Sequence, residues 1–160
     1  MNNCASKVAP ASDPISVMND RGFSSKQMGD ACEMLVAGEL TLAGIPALRV
    51  PDSWPGYDVI AHPPGGSPQR ISVKSRSKER SHFINFEPAE FDWLAIVLLV
   101  ERRPHFFIVP TEVAASDELS RPRSLAQIAR EPGWRWLPLT AAYLKKAPFK
   151  NNFELKRLSI

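Results

Sequence analysis

The segment Gly56-Tyr57-Asp58-Val59-Ile60-Ala61, the connector His62-Pro63-Pro64-Gly65-Gly66-Ser67-Pro68 and the segment Arg70-Ile71-Ser72-Val73-Lys74-Ser75-Arg76 decide how this chain folds. Both flanking segments are rich in β-branched residues, and the connector between them is turn chemistry throughout. The pattern predicts two antiparallel strands joined as a hairpin. Side chains alternate along a strand, so Ser72 and Lys74 leave one face while Ile71 and Val73 leave the other. Asp58 on the first strand and Lys74 on the second then have two uses: a partly exposed ion pair, worth at most about 1 kcal/mol, or two parts of one site.

Working outward, a helix precedes the hairpin. Ser24 and Gln27 have capping-box spacing, and Met28, Ala31, Cys32, Leu35, Val36, Leu40 and Ala43 recur at helical intervals until Gly44 stops the run. At about 100° per residue, Glu33 falls on the flank of that stripe, where it looks into the crevice between helix and sheet. Glu39 lies nearer the middle of the stripe and is a reserve acid, since an isolated buried carboxylate is costly. After the hairpin, Arg70, Lys74, Arg76, Lys78 and Arg80 are opposed locally only by Glu79. Such a cluster suits a phosphate backbone.

These residues resemble the PD-(D/E)XK nuclease superfamily, and within it the archaeal Holliday-junction resolvases and the endonucleases of group I introns. The likeness rests on Glu33 in a helix ending at Gly44, Asp58 in Tyr-Asp-Val-Ile-Ala, and Ser72-Val73-Lys74-Ser75-Arg76. It covers roughly residues 26–110. Glu33, Asp58 and Lys74 match the family pattern; Ser72 stands where relatives carry Glu or Gln. The resemblance implies an α/β fold with a restriction-endonuclease-like αβββαβ core, a mixed central sheet flanked by helices. It also implies Mg2+ (or Mn2+) held by Asp58, Glu33 and the Val73 carbonyl, and catalysis by Glu33, Asp58, Ser72 and Lys74. Arg70, Arg76, Lys78 and Arg80 become nucleic-acid contacts, DNA, double-stranded or branched, becomes the partner, and a homodimer is a further implication. The function expected is a metal-dependent endonuclease hydrolysing phosphodiester bonds. The alternative is a catalytically impaired nuclease-like fold that binds nucleic acid or a protein partner without cleavage, with Trp54, Trp134 and Trp136 as protein contacts.

Length and composition bound the rest. With 160 residues, 44% of them hydrophobic, the chain suits one domain with a sizeable core. Residues 1–23 read as a flexible leader and 24–160 as a single nuclease-like domain. Twenty basic against seventeen acidic residues give a net charge of +3, which permits nucleic-acid binding without arguing for it. Cys4 and Cys32 differ in setting, so no disulfide joins them and a reducing cytoplasm is the expected location. No signal-peptide pattern opens the chain, and the longest apolar run, residues 93–100, is too short to span a bilayer.

Further expectations complete the chain. Residues 45–50 form a first strand, and 51–56 a loop at the mouth of the site in which Asp52 is a turn former rather than a ligand. Residues 82–86 form a short strand, 93–101 a central strand covered on both faces, and 105–109 its hairpin partner. Thr111 caps a short helix through Ala115, residues 124–130 are helical, 134–137 form a short strand, and 139–146 form a last helix. The tail 151–160 has no assignable pattern. His62, His82 and His105 lack the clustering of metal ligands, and no Gly-x-Ser-x-Gly nucleophile elbow occurs.

Overall fold

The computed structural model describes residues 24–76, 83–100, 103–122, 133–139 and 149–157. Helix α1 spans Ser25–Leu42, and Ser24 and Gln27 close the predicted capping box at its start. Gly44 follows at φ +88°, the left-handed conformation that ends helices cheaply only for glycine. The buried stripe of α1 is Cys32, Val36, Ala37 and Leu40. Leu35, expected in that stripe, is 40% exposed, and Glu39 is half-buried. The stripe is therefore rotated toward Ala37, and this rotation brings the flank carrying Glu33 closer to the sheet.

Strands β1 (Ala47–Arg49), β2 (Val59–Ala61), β3 (Gln69–Arg76), β5 (Trp93–Val100) and β6 (Arg103–Pro110) form one sheet in the order β1-β2-β3-β5-β6. The hairpin is in register Val59↔Ile71, Ile60↔Arg70 and Ala61↔Gln69. β5 runs parallel to β3 and antiparallel to β6, which makes the sheet mixed. Between β3 and β5, the described part of the crossover carries β4 (Phe83–Phe86) and a 3-10 turn, Pro88–Glu90. A second, smaller sheet has the order β4-β8-β7, with β7 at Arg121–Pro122 and β8 at Arg135–Pro138.

Alternation along β5 and β6 builds two cores. Trp93, Ala95, Val97, Phe106 and Ile108 join Ile71, Val73 and the α1 stripe on one face. Leu94, Ile96, Phe107 and Val109 join Ile84 and Phe86 of β4, Leu137 of β8 and Phe149 on the other. The near-continuous apolar run of β5 follows from this covering on both faces. Among the described residues, the face away from α1 is covered chiefly by the small sheet rather than by a helix as long as α1.

Expectations change in detail at Thr111 and in the tail. Thr111 is the first residue of α2 (Thr111–Ala114) rather than its cap: Pro110 holds the cap position without a side-chain bond, and Thr111 Oγ1 is buried with no hydrogen-bond partner among the described residues. The helices expected over 124–130 and 139–146 fall outside the described residues except for Leu139, which is not helical, and the leader expectation for 1–23 lies outside them too. The unassigned tail folds back on β6: Ile108 donates its amide to the Phe149 carbonyl at 3.0 Å, and Asn151 donates to that of Phe106 at 3.0 Å. Buried Asn152 then donates to the Ile108 and Lys156 carbonyls at 3.2 and 3.0 Å, while Arg157 lies 5.2 Å from the centre of the Trp93 ring. Among the described residues, no helix is long and apolar enough to cross a membrane.

Candidate active site

The loop 51–56 does sit at the mouth of a crevice. Its turn is closed by the Trp54 amide donating to the Pro51 carbonyl at 2.8 Å. Gly56, at φ +88°, lets the chain re-enter the sheet where a side chain would strike Glu90. Backbone pairing then resumes, with the Asp58 amide on the Ile71 carbonyl and the Val50 amide on the Asp58 carbonyl, both at 3.0 Å. Asp58 is thus held at the entry to β2 by main-chain bonds on both sides. Its carboxylate is fixed as well: Oδ2 accepts the Val73 amide at 2.6 Å and the Ser72 hydroxyl at 3.2 Å.

The crevice has a volume of about 230 Å³ and is lined by Asp30 and Glu33 from α1, Arg49 from β1, Asp52 from the loop, and Asp58. Glu33 and Asp58 therefore share one space. Ser72, 2% exposed, belongs to it indirectly through its bond to Asp58. Lys74 is half-buried and lies one alternation beyond Ser72 on the face of β3 away from α1. It is not among the residues lining the crevice. Helix carboxylate and sheet carboxylate are brought together, and the lysine stands beside Asp58's serine partner rather than between the two acids.

The crevice also contains an ion-pair network not foreseen from the sequence. Arg49 donates through Nε to Glu33 Oε2 at 2.6 Å and through Nη2 to Asp30 Oδ1 at 2.8 Å, and it also pairs with Asp52. Lys26 pairs with Asp30 at 3.1 Å and with Asp52. These contacts push the Arg49 guanidinium up from its ordinary range, first through Glu33, and raise Lys26 through Asp52 and Asp30. They hold the Asp52 carboxyl below the usual carboxylate range, Lys26 contributing most and Arg49 next. Asp52 is accordingly an ion-pair anchor of the loop as well as a turn residue. Lys26 and Asp30 have i,i+4 spacing, a signal the sequence did carry; nothing local marks Arg49.

The basic segment divides. Arg70 is not opposed only by Glu79: its Nε and Nη2 donate to Asp92 at 3.2 and 3.0 Å, and its amide donates to the same carboxylate at 2.8 Å. Its charge is largely balanced within the fold. Arg76 donates to the carbonyls of Ser75 and Phe83, which are neutral, and it makes no ion pair among the described residues. Lys78 and Arg80 lie outside the described residues. Trp54 is 52% exposed and packs edge-on against Tyr57, their ring centres 6.3 Å apart.

Among the described residues no three His, Cys, Asp or Glu side chains converge as a metal-binding group. Magnesium, however, typically takes one or two carboxylates and completes its shell with water and substrate phosphate. Asp58, oriented by two donors on Oδ2, together with Glu33 across the crevice fits that requirement.

No protein-family model and no curated protein matches this chain. Among solved structures, its fold is similar to that of a bacterial homing endonuclease over 83% of this chain and 93% of that one, with a TM-score of 0.55 and 14% sequence identity. The Holliday junction resolvase Hjc of Archaeoglobus fulgidus is similar over 66% of this chain and 87% of that one, with a TM-score of 0.42 and 16% identity. The central mixed sheet with α1 packed on one face is thus a nuclease-like fold, the likeness to the homing endonuclease carrying that statement.

Proposed function

We propose that this chain is a metal-dependent endonuclease that hydrolyses phosphodiester bonds in DNA. A fold by itself hosts many activities. The observation that carries the reading is that Glu33 and Asp58, from separate elements, line one crevice. Asp58 is the principal cation-holding carboxylate, and Glu33 together with the Val73 carbonyl completes the protein's share. A magnesium ion bound there supplies charge withdrawal from the scissile phosphate. Lys74, which stands beside Ser72 and outside the crevice lining, offsets the negative charge that builds on a phosphate seated at the crevice's edge. Arg76, Lys78 and Arg80 contact the backbone; Arg70, committed to Asp92, is left out of that set.

The second reading, binding without cleavage, is favoured by the neutral hydroxyl of Ser72 and by the commitment of Glu33 to Arg49. Both readings are separated by incubating supercoiled and branched DNA with the protein and magnesium or manganese, alongside Asp58→Asn, Glu33→Gln and Lys74→Ala. Cleavage reduced at least about 100-fold in Asp58→Asn is the expected result, several kcal/mol of transition-state stabilisation being lost with the cation. Equal nicking by wild type and all three variants removes the proposal. Salt-sensitive DNA retention with no cleavage under any cation establishes the second reading instead.

A further inference from the structure

Arg49 occupies a place that the proposed chemistry needs for something else. Its Nε lies 2.6 Å from Glu33 Oε2, while its Nη2 reaches Asp30 at 2.8 Å. Asp30 and Asp52 each have a second cation, since Lys26 pairs with both. The ion pair that Glu33 makes among the described residues is with Arg49. Withdrawing Arg49 would therefore leave the loop still tied to α1 through Lys26, and would bare Glu33 selectively. The guanidinium side chain is 29% exposed and Glu33 18%, so the pair sits at the opening of the crevice, where a nucleic acid would arrive. A guanidinium binds phosphate with the same fork geometry that it uses for carboxylate. A second positive group cannot share Glu33 with Arg49 without like-charge repulsion.

We propose that Arg49 is a displaceable counter-ion and positioning residue: it holds Glu33 in place of a divalent cation until a phosphodiester draws the guanidinium away. The inference rests on the reading of Glu33 and Asp58 as cation-holding carboxylates. Cation and nucleic acid then bind with positive coupling, because whatever removes Arg49 from Glu33 strengthens the cation's hold there, and the effect is reciprocal.

The test is calorimetric titration of the full chain with Mn2+ alone, without nucleic acid and without an activity readout. The variants are Arg49→Gln, Arg49→Met, Arg49→Lys, Glu33→Gln, Asp58→Asn and the Arg49→Gln/Glu33→Gln pair, each checked for a cooperative thermal transition. Arg49→Met retains an apolar stem should Arg49→Gln fail to fold. Neutral substitution of Arg49 is expected to tighten Mn2+ binding at least about fivefold, the lower end of ordinary coupling between sites. Arg49→Lys, which keeps the charge, stays close to wild type, and the gain disappears in the Arg49→Gln/Glu33→Gln protein. If wild type and the neutral Arg49 variants bind Mn2+ equally, with binding abolished by Asp58→Asn, the counter-ion role is overturned while the proposed cation site stands. If no folded variant binds Mn2+, the cation site itself is overturned and the counter-ion role with it.

Discussion

Replacing Asp92 with alanine should loosen the junction between β3 and β5 and lower stability by about 2 kcal/mol. Asp92 precedes β5, and its carboxylate takes three donors from Arg70: the amide at 2.8 Å, Nη2 at 3.0 Å and Nε at 3.2 Å. Its own amide donates to the Arg70 carbonyl at 2.8 Å and its carbonyl accepts the Thr111 amide at 3.0 Å, so one residue ties the starts of β3, β5 and α2. The ion pair is partly solvated, with side chains 43% and 28% exposed for Arg70 and Asp92, so solvent reduces its share to about 0–1 kcal/mol. The bond to the strand-start amide adds about 1 kcal/mol or somewhat more, being accepted by a charged group. For a chain of this size, about 2 kcal/mol lowers Tm by roughly 4–8 °C. Arg70 holds the Asp92 carboxyl below the usual carboxylate range. The contribution is therefore complete above the unfolded-chain value of about 3.9 and is lost as pH falls through the lower folded value. Thermal melts of wild type and Asp92→Ala from pH 7 down to pH 2 measure it. A wild-type advantage absent at pH 7, or one that persists undiminished at the acid end, would refute the reasoning.

The same pairing gives Arg70→Ala a stability defect but no change in the salt dependence of DNA binding, whereas Arg76→Ala, if Arg76 meets a phosphate, reduces the salt slope by about one; affinity titrations across salt concentrations tell them apart. Leu40, fully buried against the sheet, should cost about 2–5 kcal/mol as Leu40→Ala, read from urea unfolding. Gly56→Ala should destabilise by about 1–2 kcal/mol, because φ is +88° and an added Cβ would lie 2.8 Å from Glu90 Cβ. Gly38→Ala, with nothing within 4 Å of its added Cβ, should instead stabilise α1 by about 0.5–1 kcal/mol; a stabilised Gly56→Ala together with a destabilised Gly38→Ala would contradict both. In a Cys4→Ser background, Cys32, 1% exposed and with its thiol pushed up by burial, should react with a thiol reagent only as fast as the protein opens.

What the sequence made legible was whatever short-range chemistry enforces. The capping box of Ser24 and Gln27, the antiparallel hairpin and the doubly buried β5 depend on spacing, alternation or a run of apolar residues, and each is visible within one window of the chain. The pairing of Glu33 with Asp58 in one crevice was reachable because it needs only a helix flank packed on a hairpin. Arg49 and Asp92 were not reachable. Arg49 meets Glu33 across 16 residues and Asp92 meets Arg70 across 22, and no local period encodes such partners. The tail 149–157 was opaque for a different reason. Its anchors Phe149, Asn152 and Leu155 are single buried residues separated by turns, two of them with positive φ at Asn151 and Leu155, so neither a helical nor a strand period runs through them.

Ser72 acquires a physical sense once the crevice is considered whole. Asp30, Glu33, Asp52 and Asp58 face Lys26 and Arg49 there, four carboxylates against two cations, an excess of two negative charges. On the proposed reading, that excess matches one divalent ion without any further ligand charge. A glutamate at position 72 would place a third unbalanced carboxylate beside Asp58, in a strand position only 2% exposed, where a charge without a partner is expensive. A serine there instead donates its hydroxyl to Asp58 Oδ2, satisfying a buried polar group and fixing the carboxylate's orientation. On that reading the neutral Ser72 and the pairing of Arg49 with Glu33 work in one direction: each limits the negative charge of the crevice, whose excess of two is left for a cation.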